Sequence, residues 1–246
     1  MTRQLVMSAL ILAAIVSSRV DAQKIADPLT RREALELFRS GQEFMAAERF
    51  DRAAESFAKA IAKDGLLTVA HYGLGQASMS LQRFDEAVKA YKACLEALRT
   101  LHNLQETSRF DVDKYREDEI RELRAILNQS SRGARTITML SLEQRLRDLE
   151  NQRSSVGSPF RPPAEVLLAL GSAYFRQGDR EAAEVEWKAA ADANPKLGEA
   201  HNNLAVIYLQ AGRLDDADRE LRLAEKSGFR VNPQFKDDLR KLRSKN

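Results

Sequence analysis

The stretch Leu-Gly-Ser-Ala-Tyr at residues 170–174 recurs as Leu-Ala-Val-Ile-Tyr at residues 204–208, which is 34 positions later. Upstream, Phe-Asp-Arg-Ala at residues 50–53 recurs with the same offset as Phe-Asp-Glu-Ala at residues 84–87. A fixed period of this length is typical of repeat architectures in which each repeat packs on its neighbours. The sequence therefore predicts four repeats, at 34–67, 68–101, 164–197 and 198–231.

Four positions in every repeat hold side chains of matched size. The eighth and twentieth positions are small: Gly41, Gly75, Gly171 and Ala205, then Ala53, Ala87, Ala183 and Ala217. The twenty-fourth position is the largest and the twenty-seventh is small: Phe57, Tyr91, Trp187 and Leu221, then Ala60, Cys94, Ala190 and Ala224. Two helices that cross closely need small residues at the contact and one large side chain beside them. The pattern therefore predicts a pair of packed helices in each repeat.

In these residues the chain resembles the tetratricopeptide repeat family. The resemblance implies an all-α solenoid of helical hairpins that binds a protein or peptide segment and does not act as an enzyme. It further implies that positions five, nine and twelve of each first helix face a ligand across a concave groove. In this sequence those residues are Phe38, Gln42, Met45, Tyr72, Gln76, Met79, Leu168, Ser172, Phe175, Asn202, Val206 and Leu209. Most of these side chains are apolar, so a helix or an extended peptide is the expected ligand.

Helix-boundary signals agree with the repeat register. Thr30 and Glu33 form a capping-box pattern that predicts the start of the first helix, inside the lead-in at 23–33 that precedes the first repeat. Pro163 suits the first turn of the third repeat. Asn232 and Pro233 predict the start of a C-terminal capping helix at 232–246, which would close the exposed end of the solenoid.

Residues 102–163 interrupt the repeats and contain none of the small and large positions. Apolar residues at helical spacing predict one helix at 111–127, and a capping-box pattern of Ser141 and Gln144 predicts the start of another. A polar link at 128–138 lies between them. The insertion is interpreted as an antiparallel helical pair or as a projecting arm, and a degenerate repeat that has lost its signature residues is a third interpretation. A further alternative is that its helices cover the groove.

The N-terminus has the features of a signal peptide, at residues 1–22. Arg3 supplies positive charge, and residues 5–16 form an apolar run that is shorter than the ~20 residues a membrane-spanning helix needs. Cleavage is expected between Ala22 and Gln23, which predicts a periplasmic or secreted protein. An uncleaved membrane anchor is the alternative.

Composition and motifs argue against most other classes of function. The formal net charge of +3 is too small for a surface that binds nucleic acid. His71 and His201 share the fourth position of their repeats, so packing explains them better than metal binding does. Cys94 stands where the other repeats have alanine, which favours a buried apolar role over a nucleophilic one. No cofactor, metal or small-molecule substrate is therefore expected.

Two functions remain open. The first is an exported scaffold or adaptor that binds a protein partner through the apolar groove. The second is a structural or self-associating envelope protein, a homo-oligomer that uses the helices of 102–163. Loss of a concentration-dependent dimer on deletion of that insertion would favour the second function.

Overall fold

The computed structural model describes residues 25–107, 109–130, 137–151 and 159–244, which form eleven helices and no strand. In chain order the helices are α1 (Pro28–Ala46), α2 (Phe50–Lys63), α3 (Thr68–Ser80), α4 (Phe84–Thr107), α5 (Arg109–Ser130), α6 (Ile137–Asn151), α7 (Ala164–Gln177), α8 (Arg180–Ala193), α9 (Gly198–Gln210), α10 (Leu214–Lys226) and α11 (Pro233–Arg243). The prediction of an all-α fold is confirmed.

Successive helix pairs coincide with the four predicted repeats, and the small and large positions meet as expected. A Cβ atom added to Gly75 would lie 2.4 Å from Cε1 of Tyr91, and one added to Gly171 would lie 2.6 Å from Cδ1 of Trp187. Such distances are shorter than a van der Waals contact, so only glycine lets the large ring of the second helix approach the first helix this closely. Repeat 4 reaches the same packing with Ala205 opposite the smaller Leu221, and both are buried.

The chain divides into two compact units, and each has its own buried core. The first unit comprises Met1–Gly73 and Thr100–Val156, and the second comprises Leu74–Arg99 and Gly157–Asn246. The division falls inside repeat 2, so α3 and α4 contribute residues to both units. In the second unit, buried side chains of α7 to α10 form one cluster that reaches Leu239 of α11. Burial of this apolar surface is the main stabilising contribution to the unit.

Three helix starts differ from the sequence prediction. The first helix begins three residues earlier than the Thr30 box implied, because Asp27 caps it and accepts hydrogen bonds from the backbone of Leu29 at 3.0 Å and of Thr30 at 3.2 Å. Helix α6 begins at Ile137, so the capping box predicted at Ser141 is wrong. Pro163 is the residue before α7 instead of a first-turn residue. The predicted start of α11 is confirmed, since Asn232 accepts from the backbone of Gln234 at 2.9 Å.

The insertion contains two helices, α5 and α6, that pack against each other, and they contact Arg39 of α1 and Thr68 at the start of α3. The interpretation as a projecting arm is therefore wrong for the described residues of α5 and α6. Helix α4 also runs to Thr107, past the predicted end of repeat 2 at 101. The observed helix α5, at Arg109–Ser130, is slightly longer than the predicted 111–127.

The predicted signal peptide lies outside the described residues. Within the described part of the chain, no helix is both long enough and apolar enough to cross a bilayer.

Candidate functional site

Helices α7 and α9 carry six of the predicted ligand-facing residues, and all six are half-buried in the second unit: Leu168, Ser172, Phe175, Asn202, Val206 and Leu209. Leu168, Phe175 and Leu209 pack against the core of this unit and still keep part of their surface accessible. Gln76 and Met79 of α3, in the same unit, are also half-buried. We refer to the six residues on the two helices as the α7–α9 surface.

Trp187 of α8 contacts two of the surface residues on α7. The Trp187 ring lies 5.5 Å from the Phe175 ring, centroid to centroid, and its Nε1 donates to the backbone oxygen of Leu168 at 3.2 Å. The hydroxyl of Ser172 donates to the same oxygen at 2.9 Å. Because Trp187 is itself buried, it forms a rigid base for Phe175, whose side chain keeps part of its surface accessible.

The corresponding residues of the first unit are placed differently. Phe38 is 0% exposed and its ring lies 5.7 Å from the Phe57 ring, and Gln42 is 9% exposed. The expectation that these two side chains face a ligand is therefore wrong for the described structure, because both belong to the interior. Met45 and Tyr72 are half-buried.

A buried polar cluster, which the sequence did not indicate, joins α1 to the insertion in the first unit. The guanidinium carbon of Arg31 lies 3.0 Å from the ring centroid of Tyr115, and its Nη2 donates to the Tyr115 backbone oxygen. The Tyr115 hydroxyl donates to Oδ2 of Asp64 at 3.0 Å. Arg31, Asp64 and Tyr115 are each at most 3% exposed. Tyr115 therefore links Arg31 to Asp64, and the positive charge of Arg31 attracts the Asp64 carboxylate.

Two further arginines extend this cluster. Nε of Arg145 donates to Oε1 of Glu119 at 3.0 Å, and its Nη2 donates to the Thr68 hydroxyl at 3.1 Å. At the surface, Nε and Nη2 of Arg39 both donate to Oε1 of Glu122, at 2.9 and 2.6 Å. Side chains of α1 and of the first turn of α3 thus hold α5 and α6 through directed polar contacts. We call these residues, with Arg31, Asp64 and Tyr115, the polar cluster.

The ionisation of Asp64 gives the polar cluster a pH dependence. Burial raises the pKa of Asp64 above its ordinary value of 3.8, against the opposing attraction of Arg31. A raised pKa in the folded state means that folding takes up a proton, so the stability contributed by Asp64 increases as the pH falls through that pKa towards 3.8. Asp64→Asn removes this group. We therefore expect urea unfolding from pH 7 to pH 4 to show wild type gaining stability relative to the variant.

The matched control for that comparison is Asp192→Asn, at an exposed position of α8. Its stability should follow wild type across the same pH range. If the free energies of unfolding of wild type and Asp64→Asn differed by the same amount at every pH, the result would contradict a buried Asp64 that takes up a proton on folding.

The two histidines at the fourth repeat position have structural contacts. Nε2 of His71 donates to the backbone oxygen of Gly65 at 2.9 Å, and Nε2 of His201 donates to that of Pro195 at 3.2 Å. Nδ1 of His201 also lies 2.8 Å from a carboxylate oxygen of Glu220. Cys94 is buried, in agreement with its small apolar position. Over the described residues, no three His, Cys, Asp or Glu side chains are grouped so that they could hold a metal ion.

Comparisons with known proteins agree with the repeat geometry. The family model of the tetratricopeptide repeat matches residues 38–100 and 168–227, which is half of the chain. No curated protein matches the sequence significantly. Among solved structures, PilW, a type IV pilus biogenesis factor, is 16% identical with a TM-score of 0.38, over 85% of this chain and 82% of PilW.

Two other solved structures are similar at the same level. A thermophilic tetratricopeptide repeat protein of Thermus thermophilus is 20% identical with a TM-score of 0.33, over 86% of this chain and 97% of that protein. YrrB, described as having an unusual peptide-binding site, is 16% identical with a TM-score of 0.27, over 79% and 86%. The 34-residue period, the small and large contacts inside each hairpin and the family match over half of the sequence together establish that this chain belongs to the tetratricopeptide repeat family.

Proposed function

We propose that this protein is an exported, non-enzymatic scaffold that binds an apolar segment of a partner protein on the α7–α9 surface. The observation that carries the proposal is the set of half-buried apolar side chains at positions five, nine and twelve of two neighbouring repeats. Leu168 and Phe175 provide it on α7, and Val206 and Leu209 provide it on α9. Covering such a strip stabilises a complex by roughly 25 cal/mol per Å² of apolar area buried.

The mixed chemistry of the surface favours a peptide over a small molecule. Ser172 and Asn202 lie at the ninth and fifth positions of their repeats among the apolar residues, so they can hydrogen-bond a partner's polar groups. An apolar strip that contains a few polar groups is suited to bind the apolar face of an amphipathic helix. An aromatic side chain such as Phe175 on a rigid base is the kind of residue that contributes most to binding.

The export part of the proposal rests on the sequence of residues 1–22. A positive charge, a short apolar run and Ala22 before Gln23 support cleavage at that bond and a periplasmic or secreted location. Retention of this segment as a membrane anchor is the alternative. Amino-terminal sequencing of the purified protein distinguishes them, because only cleavage yields Gln23 as the first residue.

A self-associating protein that uses residues 102–163 is the alternative function. In that case α5 or α6 of one copy would contact a second copy of this chain, and the α7–α9 surface would contact no protein other than such a copy. Both outcomes can be read from one crosslinking experiment.

The test is photo-crosslinking in living cells, from a photoreactive amino acid placed at Ser172 or Asn202. These polar positions lie among the apolar residues, so the probe does not replace a core side chain. The control position is Asp192, which is exposed on α8. We expect a discrete adduct with another protein from positions 172 and 202 and none from 192. Adducts only between two copies of this chain would contradict the scaffold and favour the self-associating alternative.

A further inference from the structure

An acidic side chain stands at one end of the α7–α9 surface on each of its two helices. Glu165 on α7 and Glu199 on α9 lie three residues before the first member of the surface on their helix, so each shares the side of the helix that carries the surface. Glu165 is half-buried and Glu199 is exposed. The first two repeats have Leu35 and Val69 at the same position, the second, and both are buried. An acidic residue at position two thus occurs only in the two repeats that carry the surface.

The carboxyl group of Glu199 has lost part of its water without gaining a counter-charge. Neighbouring atoms of the protein displace water from this group and raise its pKa above the ordinary value of 4.5, and no positive charge among the described residues opposes the rise. The carboxylate of Glu184 on α8, by contrast, pairs with Lys188 at 2.6 Å and with Arg213 at 3.0 Å. A carboxylate in the position of Glu199 is stabilised when a cation binds next to it.

The side-chain amide of Asn202 lies about one turn further along the same face of α9. It is half-buried, and it has no hydrogen-bond partner within the part of the chain that the structure describes. Its oxygen can accept a hydrogen bond from an ammonium or guanidinium group, and both groups carry more donors than one carboxylate oxygen can receive. Glu199 and Asn202 therefore offer acceptors for one cation at the end of the apolar strip.

A negative charge in the first turn of a helix also stabilises the helix itself, because the helix N-terminus carries a partial positive charge. Glu181 has this place on α8, where it is exposed and lies outside the α7–α9 surface. The role that Glu199 and Glu181 share does not account for the amide of Asn202. It makes Glu181 the matched control for Glu199.

We propose that the segment bound by the α7–α9 surface is a basic amphipathic helix, whose lysine or arginine binds Glu199 and the amide oxygen of Asn202 while its apolar side chains cover Val206 and Leu209. This inference rests on the proposed scaffold function and names the chemistry of its partner. An acidic segment with the same apolar face would bring like charges together at Glu199, so the surface discriminates against it.

The test is photo-crosslinking in cells from Ser172, a position that leaves Glu199 and Asn202 in place. We expect Glu199→Lys to reduce the yield of the heterologous adduct at least about fivefold, because like charges then meet at the interface. Glu181→Lys should leave the yield as it is in the wild type. Mass spectrometry of the adduct should locate a lysine or arginine of the partner within about two helical turns of the crosslink.

Equal adduct yields in the wild type and both variants would overturn the basic partner and leave the scaffold function intact. Equal losses in both variants, or a crosslinked segment with neither lysine nor arginine, would overturn it as well. No adduct in the wild type would contradict the scaffold function and this inference together. Circular dichroism establishes that the variants are folded. If Glu199→Lys is not, Glu199→Gln replaces it, with a loss of at least about twofold expected.

Discussion

Replacing Gly171 with alanine is expected to lower the free energy of unfolding by about 2 kcal/mol, even though alanine is the better helix former by about 1 kcal/mol. The added Cβ atom would lie 2.6 Å from Cδ1 of Trp187. The Trp187 ring cannot retreat easily, because it is 3% exposed and its Nε1 is bonded to the Leu168 backbone oxygen. Helices α7 and α8 must therefore separate. Urea denaturation followed by tryptophan fluorescence measures this loss, since the chain has one tryptophan.

Repeat 4 supplies the matched control for this substitution. There the same two positions hold Ala205 and Leu221, a smaller pair that is also fully packed. In a Trp187→Leu background, Gly171→Ala is therefore expected to be nearly neutral, which circular dichroism can follow in the absence of the tryptophan. A loss of the same size in both backgrounds would contradict the claim that the size of the ring sets the requirement for glycine.

Replacing Glu119 by alanine is expected to lower the free energy of unfolding by about 3 kcal/mol, because it removes the buried carboxylate that contacts the guanidinium group of the largely buried Arg145. The two side chains are 1% and 15% exposed, and their closest atoms lie 3.0 Å apart. Thermal and urea unfolding of the purified variant measure the effect. Since the pair lies in the first unit, the loss should appear in the unfolding of α1, α5 and α6, which hydrogen exchange resolves.

An exposed ion pair on the same helix provides the comparison. Asp118 pairs with Arg121, whose side chain is 76% exposed, so Asp118→Ala should change stability by no more than about 0.5 kcal/mol. Replacing both buried partners, as in Glu119→Leu with Arg145→Leu, should recover much of the loss. Equal effects of Glu119→Ala and Asp118→Ala would show that burial of the polar cluster does not matter.

The repeats could be predicted from the sequence because their contacts recur at a fixed spacing. Gly171 and Trp187 belong to one hairpin, and the same size relation appears at Gly75 and Tyr91.

The residue at which α4 ends was not predicted correctly, and the cause is the residue type at one repeat position. Asp64 and Asn194 occupy the thirty-first position of their repeats and end their helices in extended conformation. Repeat 2 has Leu98 at that position, a good helix former, and α4 continues to Thr107.

The polar cluster could not be predicted, because its contacts depend on how the insertion docks. Arg31 and Tyr115 are 84 residues apart, and Arg145 and Thr68 are 77 apart. No spacing in the sequence marks such pairs. Phe38 is buried although its repeat position resembles a ligand-facing one, because its ring packs on Phe57 of α2.

Photo-crosslinking from Asn202 in cells, repeated with Val206→Asp, tests the α7–α9 surface most directly. Val206 is half-buried beside the probe on α9, and a charge there should prevent an apolar segment from binding. Val185→Asp is the control, because Val185 is 63% exposed on α8. We expect one heterologous adduct that disappears with Val206→Asp and persists with Val185→Asp. An adduct that persists in both variants, or none from Asn202 in the wild-type background, would contradict binding of a partner at this surface.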